Sequence, residues 1–212
     1  MKKIINAPYS SCCFFVITCF SFLLITGCRH ETTETRIRQL DPVLAARMAA
    51  SVDSITKAEL PDSNLSLKLW GVDSLVISPI AIDIDDNGDL YYTTTNRQKN
   101  SEFDIRGHED WEIPSIQLQT VEEKRAFLHK ILSPENSDKN KWLKDMNGDS
   151  LHDWRDMTIE KENVYRLKDT NGDGIADQSQ LVVDDFNDEV TDVAGGVLKT
   201  KDNLYVAVGP DL

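Results

Sequence analysis

The stretch that decides the predicted fold is residues 80–95, IAIDIDDNGDLYYTTT. Ile80, Ile82 and Ile84 alternate with other residues up to Asp-Asp-Asn-Gly-Asp, and the β-prone run 90–93 leads away from it. An Asn-Gly pair between two such runs is the strongest short-range hairpin signal, because both central residues of the favoured two-residue turn need a positive φ. The sequence therefore predicts an antiparallel hairpin here.

Further segments have the alternating or β-branched composition of strands: residues 65–69, 73–77, 163–168, 178–183, 196–200 and 204–208. Short antiparallel hairpins that recur with turn signals are typical of a β-propeller or a β-sandwich. We predict a mainly β fold over residues 65–212, an incomplete β-propeller of one to two blades. A propeller needs at least four blades, so we expect an N-terminal part of a longer protein.

Two helical segments interrupt the β pattern. Residues 36–60 place five apolar side chains at helical spacing: Leu40, Leu44, Met48, Val52 and Ile55. Thr120 and Glu123 form a capping-box signature ahead of a second helical run, inside an insertion of about residues 96–142. The insertion also carries Trp111 and Trp142, which either line a ligand cleft or pin the loop to the scaffold, the second role being the more common.

The N-terminus predicts export and lipid anchoring. Residues 1–27 combine Lys2 and Lys3 with an apolar run at 14–25, which is shorter than the roughly 20 residues of a spanning helix. The ending Ile-Thr-Gly-Cys28 resembles the lipobox of bacterial lipoproteins, the alternative being an ordinary secretory signal with Cys28 incidental. We predict residues 1–27 to be a signal peptide and residues 28–64 to be a tether and helix. The lipid on Cys28 would hold the chain at the outer membrane, facing the periplasm or the cell surface.

The mature chain is strongly acidic. Without Lys2 and Lys3 it has 21 basic and 36 acidic residues, a formal net charge of −15. This charge argues against nucleic acid and against anionic lipid surfaces as partners, so contact with the membrane is expected through the lipid anchor alone. No cysteine follows Cys28, so the mature chain can form no internal disulfide and holds no Cys-x-x-Cys-His site for a c-type haem.

Two nine-residue loops of the form D-x-N-G-D-x-x-x-D lie 24 residues apart. Ca²⁺ prefers six to eight oxygen ligands, and loops of this spacing turn side-chain oxygens inward and add a carbonyl at position seven. The first loop, residues 145–153, has an acid at position twelve but Ser150 where glycine is expected; the second, residues 169–177, has Gly174 there. The predicted ligands are Asp145, Asn147, Asp149, Leu151, Asp153, Asp156, Asp169, Asn171, Asp173, Ile175 and Asp177. The alternative is a pair of ordinary polar turns, and we expect the second loop to be the better site.

The sequence contains no recognisable catalytic set. His108 is the one histidine in a loop that could belong to an active site, and a lone loop histidine is usually a surface residue. Asp85, Asn87 and Asp89 imitate the calcium pattern, but the hairpin explains them and we do not predict a metal there.

Several of these stretches resemble a known family. Residues 80–97, the run 163–186 (NVYRLKDTNGDGIADQSQLVVDDF) and the closing 190–212 are similar to the opening blades of glucose/sorbosone dehydrogenase-like β-propellers. They look most like the large exported membrane-bound dehydrogenase-like proteins that often carry a c-type haem domain. The resemblance implies a sugar or alcohol dehydrogenase that uses a quinone such as PQQ. No catalytic residue of the family can be carried over to a position in this chain, and these residues alone are expected to be inactive.

A second functional interpretation remains open. A Ca²⁺-stabilised surface propeller could bind glycan or a partner protein without turning it over. A Cys-x-x-Cys-His sequence in a C-terminal continuation of the protein would favour redox chemistry, whereas further repeats or a carbohydrate-binding module would favour binding.

Overall fold

The computed structural model describes residues 36–56, 62, 64–65, 67–98 and 100–210, so the predicted signal peptide, Cys28 and the predicted tether lie outside the described residues. The described chain forms strands β1 Ile37–Gln39, β2 Pro79–Ile84, β3 Leu90–Thr94, β4 Glu162–Lys168, β5 Gln178–Asp185, β6 Ala194–Lys199 and β7 Leu204–Val208. Its helices are α1 Pro42–Thr56, α2 Glu109–Ile116 and α3 Val121–Ile131, with 3₁₀ turns at Pro134–Lys139 and Trp154–Thr158. The architecture is mixed α/β rather than clearly mainly β as predicted.

The strands form two antiparallel sheets. One has the order β1-β5-β4-β3-β2, and the second pairs β6 with β7. Strands β2 to β5 follow one another as a meander, and β1 joins the far edge through the pairing of Ile37 with Gln180. The three predicted hairpins are confirmed, and the sheets do not close into a barrel within the described residues.

The turn of the first hairpin differs from the predicted two-residue type. The Gly88 N–H donates to the Asp85 carbonyl at 2.9 Å, the Asp85 N–H donates to the Asp89 carbonyl at 3.0 Å, and Gly88 has a φ of 83°. This is a three-residue loop in which glycine alone takes the left-handed conformation, so Asn87 needs no positive φ. The Asp89 carboxylate points away from the turn and accepts a hydrogen bond from Arg166 Nε at 2.8 Å.

Helix α1 starts later than expected and buries a different face. Residues 37–39 pair as β1, and the Asp41 carboxylate then caps the helix by accepting the Val43 N–H at 2.8 Å. Ala45 and Ala49 are buried, while Leu44, Val52 and Ile55 are exposed. The predicted stripe was therefore wrong at these three positions. Each residue lies about 40° further around the helix axis than the residue four positions before it. Side chains at this spacing therefore no longer share one face of the helix after about three turns.

Residues 65–77 were wrongly predicted as two strands. The described part of this segment is irregular, and it fills the core beside the five-stranded sheet instead of joining it. Val72 and Leu75 are buried with Tyr92 and Leu167, and the Tyr92 hydroxyl donates to the Leu75 carbonyl at 3.0 Å. Leu65 and Leu67 are exposed and Leu69 packs against this core, so the alternation of these leucines does not mark a strand.

The insertion runs from the end of β3 to the start of β4, further than the predicted residue 142. Its hydrophobic core contains Trp111, Leu128, Leu132, Leu143 and Met157, and Val190, which follows β5, completes it. Helix α3 confirms the predicted helix, whereas α2 was missed, because its short run with an internal Pro114 has little helical periodicity. Trp111 is buried in this core, whereas 41% of the Trp142 surface is exposed.

The capping box of α3 gives a simple stability prediction. The Thr120 hydroxyl accepts the Glu123 N–H at 3.1 Å, and the Glu123 carboxylate accepts the Thr120 N–H at 3.3 Å. Thr120→Ala is expected to lower the free energy of unfolding by about 1 kcal/mol, whereas Thr120→Ser keeps the acceptor and most of the stability. Urea unfolding of both variants measures this; equal midpoints for the two would contradict it.

Candidate calcium loops and aromatic groove

The second loop curls around the carboxylate of Asp169. Asp169 Oδ1 accepts the Gly172 N–H at 2.7 Å, and Oδ2 accepts the Gly174 N–H at 2.8 Å. Both glycines have a positive φ, 77° and 90°, which places their N–H groups on the inside of the turn. Burial acts to raise the pKa of Asp169, but the N–H groups of Gly174 and Gly172 outweigh it and hold that pKa below its ordinary value. Asp169 therefore stays ionised at neutral pH.

The remaining predicted ligands of this loop also accept backbone N–H groups. Asn171 Oδ1 accepts from Asp173 at 3.0 Å, and Asp173 Oδ1 accepts from Ile175 at 2.9 Å. Asp177 is buried and turns to Thr170, whose N–H and hydroxyl donate to its two oxygens at 2.9 and 2.7 Å. The structure thus brings Asp169, Asn171 and Asp173 into one exposed turn. Asp177 lies at the base of that turn.

The first loop has the same internal contacts. Asp145 Oδ1 accepts the Gly148 N–H at 2.7 Å, and Oδ2 accepts the Ser150 N–H at 3.0 Å. The N–H of Asp149 reaches Asn147 Oδ1 at 2.8 Å, and that of Leu151 reaches Asp149 Oδ1 at 2.9 Å. Ser150 has a φ of 69° where the second loop has Gly174. A non-glycine residue in this region costs roughly 1–2 kcal/mol, so the first loop is the more strained of the two.

A guanidinium distinguishes the first loop from the second. Arg155 Nε donates to Asp153 Oδ1 at 2.9 Å, and its Nη2 lies 3.2 Å from Asp149 Oδ2. Burial acts to raise the pKa of Asp153, but the hydrogen bonds from Arg155 hold it below its ordinary value. The residue at the corresponding position of the second loop is Ser179, which carries no charge. Two carboxylates of the first loop are therefore already paired with a cation of the chain itself.

Asp156, the predicted twelfth-position ligand of the first loop, is fully buried. Its carboxylate accepts the N–H groups of Met146 and Asp153 at 2.8 and 3.0 Å. Asp156 thus fixes the entry and exit of the loop and does not extend into its exposed turn. Across the described residues, no group of three or more His, Cys, Asp or Glu side chains is already converged as a metal site.

The insertion also holds a cluster of three aromatic rings. The rings of His108 and Trp111 stack with centroids 3.8 Å apart and an interplanar angle of 4°. Trp142 lies against both, at 4.9 Å from His108 and 5.9 Å from Trp111, and 41% of its surface remains exposed. The other described histidines have local partners: His129 Nε2 lies 2.8 Å from Glu189, and His152 Nδ1 lies 2.7 Å from the Leu143 carbonyl.

Sequence reasoning missed two arginines that matter here. Arg155 could have been noticed as a cation two residues after the last ligand of the first loop, a position where the second loop has serine. Arg97 is fully buried at the junction of insertion and sheet, where its guanidinium donates to the carbonyls of Ser101, Met157 and Phe186. No local pattern in the sequence marks that position.

The described residues contain no helix long and apolar enough to cross a membrane. Comparisons of the chain with protein-family models, with curated proteins and with solved structures find no match.

Proposed function

We propose that this chain is a Ca²⁺-stabilised, blade-forming module of an exported protein that a lipid on Cys28 holds at a bacterial membrane. The observation that carries the proposal is the second loop, where Asp169, Asn171 and Asp173 crowd two carboxylates and an amide into five residues. Asp169 accepts three backbone N–H groups, and Asp173 accepts the Ile175 N–H and the Asn171 amide, so both keep acceptor capacity out of the about four lone-pair sites of an ionised carboxylate. Asn171 Oδ1 accepts one N–H and keeps its second lone pair. Hard oxygen donors in this arrangement suit Ca²⁺.

The role proposed for the ion is structural. The second loop joins β4 to β5, and the Asp177 N–H at its end donates to the Lys168 carbonyl at 3.0 Å. A cation held by Asp169, Asn171 and Asp173 would neutralise their charge and fix the separation of the two strands. The first loop is not included in the proposal, because Arg155 already supplies it with positive charge.

The larger protein that we propose is a glucose/sorbosone dehydrogenase-like propeller. Two features support it: the meander of β2 to β5 has the four antiparallel strands of a blade, and β6 begins a second unit beside it. The Lys199 N–H at the end of β6 donates to the Asp83 carboxylate in β2 at 2.6 Å, which joins the two units.

The redox groups that the family resemblance implies do not fit the residues of this chain. Thioether attachment of a c-type haem needs two cysteines, and the mature chain has Cys28 alone. A quinone with several carboxylates, such as PQQ, calls for a cationic cleft, whereas four grooves of the described residues that hold a lysine or an arginine each also contain Asp or Glu. We therefore assign no catalytic step to these residues.

A second candidate function is binding without turnover at the cell surface. The exposed ring of Trp142 favours it, because a large aromatic side chain held by its neighbours with one part open to solvent is a common ligand contact. The partner of such a surface would be a glycan or a protein.

Thermal melts with Ca²⁺ and with a chelator test the proposed function. A ligand that binds the folded state alone stabilises it by about 2.7 kcal/mol at a hundredfold excess over Kd. Wild type should gain stability with Ca²⁺, and Asp173→Ala should lose most of that gain while keeping its stability in chelator. Melts of wild type that coincide in Ca²⁺ and chelator would reduce the second loop to an ordinary polar turn.

A further inference from the structure

The insertion carries a second feature that the calcium loops do not explain. Two cavities of about 320 and 260 Å³ lie on either side of His108. Their sizes are at or just below the range of roughly 300–1,000 Å³ for ligand pockets. His108 lines both cavities, Trp111 lines the first and Trp142 the second, so the two are neighbours around this aromatic cluster, and we call the pair the aromatic groove.

We propose that the aromatic groove binds a neutral oligosaccharide, with one sugar ring stacked on Trp142. The inference specifies a ligand class for the second candidate function and therefore rests on it, but it does not depend on Ca²⁺. It concerns the aromatic groove, to which neither calcium loop contributes a lining residue.

The first argument concerns the shape of the aromatic surface. His108 and Trp111 stack at 3.8 Å, so a flat ligand cannot enter between their rings. The Trp142 ring instead packs against that stack at an angle, and it is partly buried and partly exposed to solvent. The exposed part of the Trp142 indole is a flat apolar surface, and the C–H face of a pyranose ring is also flat and apolar, so the two can stack.

The second argument concerns the polar rim. The groove is bordered by amides and ionised groups, including Asn100, Asp104 and Arg106 on one side and Asn136 on the other. Arg106 Nε donates to Asp104 Oδ1 at 2.8 Å, so the guanidinium and the carboxylate are paired in the cavity that Trp142 also lines. Sugar hydroxyls both donate and accept hydrogen bonds, so they can contact amides, carboxylates and a guanidinium together through the donor and acceptor sites that these groups keep beyond their contacts within the chain.

The third argument concerns charge. One cavity holds Asp110 with Lys130 and Lys139, and the other holds Glu102 and Asp104 with Arg106. The first set has a formal charge of +1 and the second of −1, so the groove as a whole is balanced. A balanced groove gives no net attraction to an acidic or a basic ligand, which favours a neutral one.

Calorimetric titration of the full chain in detergent tests this, with cellohexaose, xylohexaose and mannohexaose as neutral probes and hexagalacturonate as the acidic one. At least one neutral probe should bind, and Trp142→Ala should weaken it roughly 30-fold, as truncation of a central aromatic anchor does. Tyr205→Ala is the matched control, because Tyr205 is 45% exposed on β7, outside the groove, and it should leave the affinity unchanged. Trp142→Phe keeps an aromatic ring, and its affinity should fall between those of wild type and Trp142→Ala.

The outcomes separate this inference from the calcium proposal. Asp173→Ala should abolish Ca²⁺ binding and keep sugar binding, while Trp142→Ala should weaken sugar binding and keep Ca²⁺ binding. Failure of all neutral probes at millimolar concentration would overturn the inference. Binding of hexagalacturonate alone, or equal affinity in Trp142→Ala and wild type, would also overturn it.

Discussion

Arg97→Met should destabilise the protein by about 3–5 kcal/mol, a large part of the total stability of a typical domain. Arg97 has no exposed surface, and its guanidinium donates to the Ser101 and Met157 carbonyls at 3.3 and 3.2 Å. It also reaches the Phe186 carbonyl and the Thr191 hydroxyl. Methionine fills a similar volume but leaves these buried acceptors without a donor, and each such loss costs about 1–3 kcal/mol.

The effect of Arg97→Met should spread beyond its own contacts. The Arg97 N–H donates to Glu162, whose carboxylate also accepts from Thr95 Oγ1 at 2.8 Å and from the Ala194 N–H at 3.1 Å. This junction joins the insertion to β4 and to the start of β6. The Arg97 N–H and Glu162 stay paired in Arg97→Met, but the guanidinium adds the contacts with Met157, Phe186 and Thr191 to this junction, so its loss loosens the junction.

Urea unfolding at fixed Ca²⁺ concentration measures the Arg97 effect through the midpoint, provided the slope is unchanged. Arg106→Met is the matched control, because Arg106 is exposed and pairs with Asp104, and exposed ion pairs contribute little to stability. The account of the junction would be wrong if the two variants had the same midpoint.

Cys28→Ala should abolish lipid attachment altogether. The residues before it, Ile25, Thr26 and Gly27, form the lipobox-like ending of the signal, and the sulfur of Cys28 is the expected attachment atom. Stable anchoring needs at least two acyl chains, so a chain without them should leave the membrane fraction or accumulate as an uncleaved precursor.

Incorporation of labelled fatty acid distinguishes these fates from ordinary membrane association. Wild type should be labelled, and Cys28→Ala should not. Cys19→Ala is the control, since Cys19 lies in the apolar run of the signal and outside the lipobox, and it should be labelled like wild type. An unlabelled wild type would show that Cys28 is incidental to an ordinary secretory signal.

The hairpins could be predicted because their information is local. The turn of the first hairpin lies within five residues, and the loop between β4 and β5 lies within nine. Strand β1 could not be found in this way, because Ile37 pairs with Gln180, far along the chain. The same limit explains residues 65–77, because the buried Val72 and Leu75 pack against Tyr92 and Leu167 in the core.

The candidate calcium loops show the same division. The D-x-N-G-D spacing predicts the inward turn of Asp169, and the structure has it. The pairing of Arg155 with Asp149 and Asp153 depends on how the chain leaves the first loop, through the 3₁₀ turn Trp154–Thr158. A motif that ends at position nine does not contain that information.

Ca²⁺ stoichiometry of the full chain by isothermal titration tests the central claim most directly. We predict one ion per chain, lost in Asp173→Ala and kept in Asp149→Ala, which removes the corresponding residue of the first loop. Absence of binding by the wild type, or loss of the ion in Asp149→Ala while Asp173→Ala retains it, would contradict the claim.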